Sequence, residues 1–175
     1  IIFGPEDTPY ENGILYFKIE FPNNYPFSPP KVGYLSTSKI RIHPNLYVGR
    51  SHDNFVGKVC LSSLNTWSGP KWTSVMHIGS ILLSIQSLLT KNPLHNEPGY
   101  ETENGDKCQK YNQILTYENF NIAILNCIKN PGSFDVFLLQ MREMFIKNYS
   151  KILNNLNKNK NKNNQKIYSP VYNMN

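Results

Sequence analysis

An α+β fold, an antiparallel sheet with helices packed beside it, follows from three features of this 175-residue chain. Strand-like segments all precede residue 37 and helical periodicity begins only near residue 73, an order that segregates sheet from helices instead of alternating them. Apolar residues make up 39%, with 2 Trp, 11 Tyr and 9 Phe, which supplies one substantial core at a length that suits one domain. So many rings at only 17% charged residues exclude a disordered chain, which would be aromatic-poor and strongly charged.

Taken in order, Ile1-Ile2-Phe3 ends one strand, and Pro9-Tyr10-Glu11-Asn12-Gly13 is a turn signal that predicts a hairpin into the next. Within Gly13 to Phe21, Phe17, Ile19 and Phe21 alternate with Lys18 and Glu20, the period of a half-buried strand. Phe21 to Pro30 holds four prolines in ten residues, which neither a helix nor a central strand tolerates. That segment reads as a stiff ordered loop, with one X-Pro bond a candidate for the cis form. Lys31 to Ser36 reads as the next strand, and Ile42 to Thr73 is irregular, punctuated by Gly49, Gly57 and Gly69. Thr73 or Ser74 can cap a helix whose apolar stripe is Ile78, Ile81, Leu82, Ile85, Leu88 and Leu89, ended by Asn92-Pro93. A loop to Gly105 leads into a second helix, Asp106 to Lys129. Pro131-Gly132 breaks it and Ser133 caps a third, with Phe134, Phe137, Leu138, Met141, Phe145 and Tyr149 on one face.

The formal net charge of +6 is concentrated at the C-terminal end. No acidic residue follows Glu143, while Lys147, Lys151, Lys158, Lys160, Lys162 and Lys166 do; without those six the 12 remaining basic residues match the 12 acidic ones. The neutral body argues against nucleic-acid binding. Asn154 to Gln165, NNLNKNKNKNNQ, has almost no apolar surface to bury and reads as the start of a solvated tail, so the domain is set at 1–153 and the tail at 154–175. The longest nearly apolar run, Ile78 to Leu89, is 12 residues and contains Ser80, Ser84, Gln86 and Ser87, too short to cross a bilayer, so no membrane partner is expected. Ile1-Ile2-Phe3-Gly4-Pro5 lacks the basic-then-apolar build of a secretory signal. Cys60, Cys108 and Cys127 form no C-x-x-C pair and cannot all pair with one another, which fits a reducing compartment, the cytoplasm or nucleus.

Cys60 is the thiol of interest, placed just past a glycine turn in Gly57-Lys58-Val59-Cys60-Leu61 and outside any apolar stripe. Cys108 and Cys127 lie in or near helical patterns and read as core. Two arrangements suit acyl chemistry at Cys60. One is a cysteine–histidine dyad with His43, His52, His77 or His95 as base. The other uses Asn45, in His43-Pro44-Asn45, whose amide can stabilise the oxyanion of a thioester under attack. The histidines and Cys60 show no zinc-ligand spacing, and no phosphate loop, dinucleotide fingerprint or G-x-S-x-G motif occurs.

Together these segments resemble the ubiquitin-conjugating enzyme core. The resemblance rests on Gly4-Pro5, Thr8 to Gly13, Phe21-Pro22, Tyr25-Pro26-Phe27-Ser28-Pro29-Pro30-Lys31-Val32, His43-Pro44-Asn45, Gly57 to Leu61, Trp72 and Ser80 to Leu89, in order from Ile1 to about Asn96. Trp67-Ser68-Gly69-Pro70-Lys71-Trp72 and Asn92 to Glu101 resemble the Z-type enzymes and the conjugating domain of the giant apoptosis-inhibitor enzymes within that family. The resemblance implies the ubiquitin-conjugating fold, a meander sheet flanked by helices. Ile1 begins where the family's first strand should be ending, with the family's N-terminal helix missing, which implies a piece of a longer protein.

For the matched positions the resemblance implies that Cys60 accepts ubiquitin or a ubiquitin-like modifier as a thioester from an activating enzyme. The modifier then passes to a lysine amine of a protein substrate or to a ligase cysteine. Asn45 supports the oxyanion or the loop beside it, and His43 and Pro44 shape that loop. Tyr34 and Thr73-Ser74-Val75 fall where family members meet ligases, with core packing the alternative for Tyr34 and the favoured reading of Trp72. His95 or Glu97 falls where an acidic group gates the attacking lysine, with a solvated loop histidine the alternative for His95. No nucleotide, metal or other cofactor is required at this step, since ATP is consumed upstream. The chain departs from the family pattern in three places. Tyr47 to Asn54 looks like an insertion, either draped over the site or an inert surface loop. Ser62 replaces the usual Asp, and Thr73-Ser74-Val75 replaces the usual Ser-Pro-Ala. Two rivals remain: a catalytically inactive ubiquitin-binding scaffold of the same fold, and a cysteine hydrolase, which needs a histidine against Cys60.

Overall fold

The computed structural model of the chain describes residues 1–49, 55–159 and 168–171. Four strands, β1 (Ile2–Phe3), β2 (Ile14–Glu20), β3 (Lys31–Leu35) and β4 (Gly57–Lys58), pair antiparallel in sequence order. The first three lie where strand periodicity predicts them. Pairing Phe17 with Tyr34 and Ile19 with Val32 keeps the apolar sets of β2 and β3 in step. β4 has no periodicity to betray it, being two residues long. It pairs Gly57 with Tyr34, and a side chain at Gly57 would meet the Tyr47 carbonyl at 1.9 Å, so this strand passes the Tyr47 backbone only as glycine.

Three helices cover the sheet: α1 (Ile78–Leu88), α2 (Asp106–Glu118, carried on as a π-helix over Asn119–Asn126 and a last α-turn Cys127–Lys129), and α3 (Leu138–Asn159). α1 starts four residues later than a Thr73 cap predicts and three later than a Ser74 cap does. Trp72 is anchored first, its backbone N–H donating to Asn65 Oδ1 at 3.1 Å and its indole N–H to Pro26 O at 2.7 Å. Thr73 to Met76 then closes a separate turn through Met76 N–H to Thr73 O at 3.0 Å. The stripe holds at Ile81, Ile85 and Leu89, all within 2% exposure, while Leu82 faces outward. Burying each of these three contributes about 1.5–3 kcal/mol.

Before α3, Gly132–Phe137 forms a tighter 3₁₀ turn that rotates Phe137 out to 45% exposure. Tyr149, at 49% exposure, also leaves the predicted face, because the buried stripe runs through Met141, Phe145, Asn148 and Ile152 and Tyr149 sits a hundred degrees around from Asn148. α3 continues through Asn159, so the first six residues of the Lys/Asn-rich run are helical; residues 160–167 lie outside the described residues. Its far end is tied to the β1–β2 turn by an ion pair from Lys151 to Glu11, whose carboxylate also accepts from Asn155 Nδ2 at 3.3 Å. No single described helix is long and apolar enough to cross a membrane.

The proline loop behaves as predicted, with Tyr25–Pro26 cis. It is stapled to the core by the Trp72 indole and by contact of the Tyr25 and Trp72 rings, 5.9 Å apart. Trp72 is a core residue at 8% exposure. These packed parts leave one edge open, where the segment from Ile42 to Tyr47 runs antiparallel beside Val59 and Cys60.

Candidate active site

The site begins with a four-residue turn. Leu46 N–H donates to His43 O at 3.1 Å, and Leu46 then bridges Val59 antiparallel, which places Asn45 opposite Cys60. Cys60 N–H donates to Asn45 O at 2.9 Å, and the Asn45 side-chain amide donates to Cys60 O at 2.8 Å. Asn45 therefore holds both backbone polar groups of the cysteine. Thr66 secures the flanks: its hydroxyl accepts from Leu61 N–H at 2.9 Å and donates to Val59 O at 2.7 Å. The Asn45 Oδ1 atom is buried with no hydrogen-bond partner among the described residues.

His43 shapes this turn. It is fully buried; Asn45 N–H donates to its Nδ1 at 2.9 Å, so the ring hydrogen sits on Nε2 and donates to Leu88 O at 3.0 Å. Burial pushes its pKa down to about 4 against the help of the Leu88 carbonyl, and the nearby Arg41 guanidinium adds to the depression. A neutral ring with both nitrogens engaged is a brace, not a base. Pro44, also buried, sits between the two bonded residues.

Cys60 lies at the wall of a cleft of about 300 Å³, which Asn45, Trp67, His95, Asn96 and Glu101 also line. Burial pushes its thiol pKa up, and the charges of Lys58 and Arg41 pull it part of the way back. At rest the sulfur is a protonated thiol. Of the histidines weighed as its base, His43 is engaged elsewhere, His95 donates from Nε2 to Glu103 O at 2.7 Å, and His77 is exposed at the start of α1. His52 lies outside the described residues, as does most of the Tyr47 to Asn54 insertion. Cys108 and Cys127 are core residues, their thiols directed at the carbonyls of Glu103 and Ile122.

The remaining predicted positions divide. His95 reaches the cleft, but Glu97 is not among its lining residues and Glu101 is. Hydrogen bonds from its own N–H and that of Gly99 hold the Glu101 carboxyl below the usual range. Tyr34 is 3% exposed, packed against Phe17 at 5.6 Å between ring centres, so it belongs to the core and presents no surface to a ligase. Thr73, Ser74 and Val75 are exposed, Val75 at 86%. Phe27, which the sequence reading did not single out, is 80% exposed. The indole bond from Trp72 to Pro26 O brings its loop against theirs. An aromatic ring in a loop of four prolines was the signal available.

Known proteins resemble this chain in sequence and fold. Residues 1–119 match the family model described as Ubiquitin-conjugating enzyme. The chain is 40% identical over 153 residues to ubiquitin-conjugating enzyme E2 Z of Danio rerio, covering 85% of this chain and 44% of that protein. To E2 Z of Homo sapiens it is 43% identical over 133 residues, 74% of this chain and 35% of that protein. To the human dual E2 ubiquitin-conjugating enzyme/E3 ubiquitin-protein ligase BIRC6 it is 41% identical over 144 residues, 75% of this chain and 3% of that protein. The chain thus spans less than half the length of these relatives. Among solved structures, the E2 domain of a Toxoplasma gondii ubiquitin conjugating enzyme is similar at a TM-score of 0.50 and 30% identity, covering 70% of this chain and 77% of that one. With its α+β architecture and residues 1–119 matched, the chain belongs to the ubiquitin-conjugating enzyme family, on the side of the Z-type and BIRC6 conjugating domains.

Proposed function

We propose that Cys60 carries ubiquitin, or a ubiquitin-like modifier, as a thioester and delivers it to a lysine amine or a ligase cysteine. In the first step the Cys60 thiolate attacks the thioester carbonyl presented by an activating enzyme. A carbon–sulfur bond to Cys60 forms, the bond to the activating enzyme's sulfur breaks, and that sulfur leaves as thiolate. One thioester replaces another, so the exchange is nearly isoenergetic. In delivery the lysine nitrogen bonds to the carbonyl carbon, the Cys60 sulfur leaves, and the ammonium proton of the intermediate passes to solvent.

The observation that carries this reading is the double hold of Asn45 on the Cys60 backbone at the wall of an open cleft. It sets an amide beside the position a thioester carbonyl would occupy, and the second amide hydrogen is the donor for its oxyanion. A raised thiol pKa, with His43 and His95 bonded to backbone groups, suits a carrier that holds its thioester better than a hydrolase that discharges it to water. Trp67, His95 and Glu101 frame the approach of the amine, and Phe27 with Val75 forms the exposed apolar contact for a ligase.

The test is incubation of the chain with activating enzymes, ATP and a panel of modifiers. An adduct that thiol reductant removes and that is absent in Cys60→Ala is expected. No adduct with any modifier would favour the inactive scaffold, and an adduct that survives in Cys60→Ala but not Cys108→Ala would overturn the site.

A further inference from the structure

Arg41 lies outside every motif so far described, yet it meets the turn beside the site at three points. Its Nε donates to His43 O at 3.3 Å, and its Nη2 donates to Pro44 O. The face of the guanidinium lies on the Tyr47 ring, 3.6 Å from Cζ to the ring centre. One fork therefore spans two successive carbonyls of the turn, and an aromatic plate holds the fork flat.

The consequence falls on one peptide. The oxygen of the Pro44–Asn45 peptide is held by Arg41, and its N–H is held by His43 Nδ1 at 2.9 Å. A peptide plane pinned at both its polar atoms fixes the direction in which the Asn45 side chain leaves the backbone. That side chain then reaches Cys60 O at 2.8 Å. Tyr47 is tied in turn to β4, its N–H donating to Lys58 O at 3.0 Å, so the plate and the cysteine strand move as one.

We infer that Arg41 is a positioning residue for delivery of the modifier, setting the Asn45 amide over the Cys60 thioester through the carbonyls of His43 and Pro44. This rests on the carrier reading above and adds to it a residue that touches neither modifier nor acceptor. Lysine cannot substitute, because an ammonium on a flexible stem keeps the charge but spans two carbonyls poorly and does not stack as a plane.

The experiment is single-turnover discharge to free lysine from Cys60 already loaded with modifier, so the rate of loading does not enter. Arg41→Lys is expected to slow discharge by about 10- to 100-fold, the scale of a small misplacement at a reacting centre. A general loss of structure would multiply with loss of Asn45, whereas positioning through Asn45 would not. Arg41→Lys added to Asn45→Ala should therefore slow discharge by less than about twofold beyond Asn45→Ala alone. Tyr47→Leu, at a half-exposed ring, gives a milder second probe: a smaller slowing, again absent in the Asn45→Ala background. Discharge of Arg41→Lys within about twofold of the parent, or effects that multiply in the double variants, would overturn the inference. Failure of the parent chain to load Cys60 at all would instead overturn the carrier reading.

Discussion

Asn45 and Cys60 are joined twice, through Cys60 N–H to Asn45 O at 2.9 Å and through the Asn45 amide to Cys60 O at 2.8 Å. Bracing the cysteine and donating to an oxyanion are therefore compatible roles of one side chain. The amide has two hydrogens, and the Cys60 carbonyl uses one.

Replacing Asn45 by Ala or Asp removes its side-chain hold on Cys60 O and any donation to the oxyanion together. Asn45→Ala should slow lysine discharge on the order of 10²–10³, or about 3–4 kcal/mol of transition-state stabilisation, if the second hydrogen meets the oxyanion. Asn45→Asp places a carboxylate where Cys60 O now accepts a hydrogen bond and leaves no amide donor, so it should be at least as slow as Ala. Thioester exchange needs less help, since a thiolate is the better nucleophile, so the variants should differ mainly in lysine discharge. Near-normal discharge by Asn45→Asp would refute donation and would show that the amide's bond to Cys60 O is not needed either.

His43 makes stability depend on pH in a definite direction. Its folded pKa, about 4, lies below its ordinary 6.5, so in this window the unfolded chain binds a proton that the folded chain refuses. Stability is therefore unaffected by His43 above about 6.5 and is lost as pH falls from there toward 4, by about 3 kcal/mol in all. Chemical denaturation of the parent and of His43→Gln across that range would show it, with the variant's curve the flatter. Parallel curves would mean that the ring is not held neutral.

Tyr34 is buried where a ligase contact was one of its two expected roles, and Phe27, given no role by sequence, is exposed. Phe27→Ala, at an 80% exposed ring, should change stability by no more than about 0.5 kcal/mol yet reduce ligase-stimulated discharge severalfold. Tyr34→Ala, at a 3% exposed ring, should cost about 3–5 kcal/mol of stability. Melting curves set beside discharge rates with and without a ligase would decide it. Undiminished ligase stimulation in Phe27→Ala would remove that contact.

What sequence can and cannot show is visible in the same residues. The alternation in β2 and the three- and four-residue stripe of α1 are one-dimensional patterns; β2 formed where it was read, and α1 formed along its stripe but from Ile78 instead of a Thr73 or Ser74 cap. Cys60 and Asn45 each sit in a short motif, and the structure sets the two motifs side by side. β4 was not legible, since two residues carry no period, and neither was Arg41, whose importance lies in which carbonyls its fork meets. Tyr34 misled because its place in the chain says nothing about which face of the sheet it occupies. Glu97 misled for a reason of geometry: beside His95 in sequence, it begins a turn that carries the chain away and brings Glu101 back.

That turn yields the remaining prediction, on how the acceptor amine is met. Pro93–Asn96 is a 3₁₀ turn that Glu97 leaves in an extended conformation, and Tyr100 N–H then closes back on Glu97 O at 3.0 Å. Gly99 has φ of +87°, a conformation that residues other than glycine rarely adopt, and it allows the reversal. Glu101 arrives at the cleft with Cys60, its carboxylate held ionised by the N–H groups of Gly99 and Glu101. An exposed carboxylate attracts an ammonium only weakly. Glu101→Gln should therefore raise the lysine concentration needed for half-maximal discharge by up to about fivefold, with little change in the saturated rate. The effect should fade near 1 M salt, where screening acts over only about 3 Å. Glu97→Gln should leave that concentration unchanged at either salt. If Glu97→Gln shifted it and Glu101→Gln did not, the gate would belong to Glu97 after all.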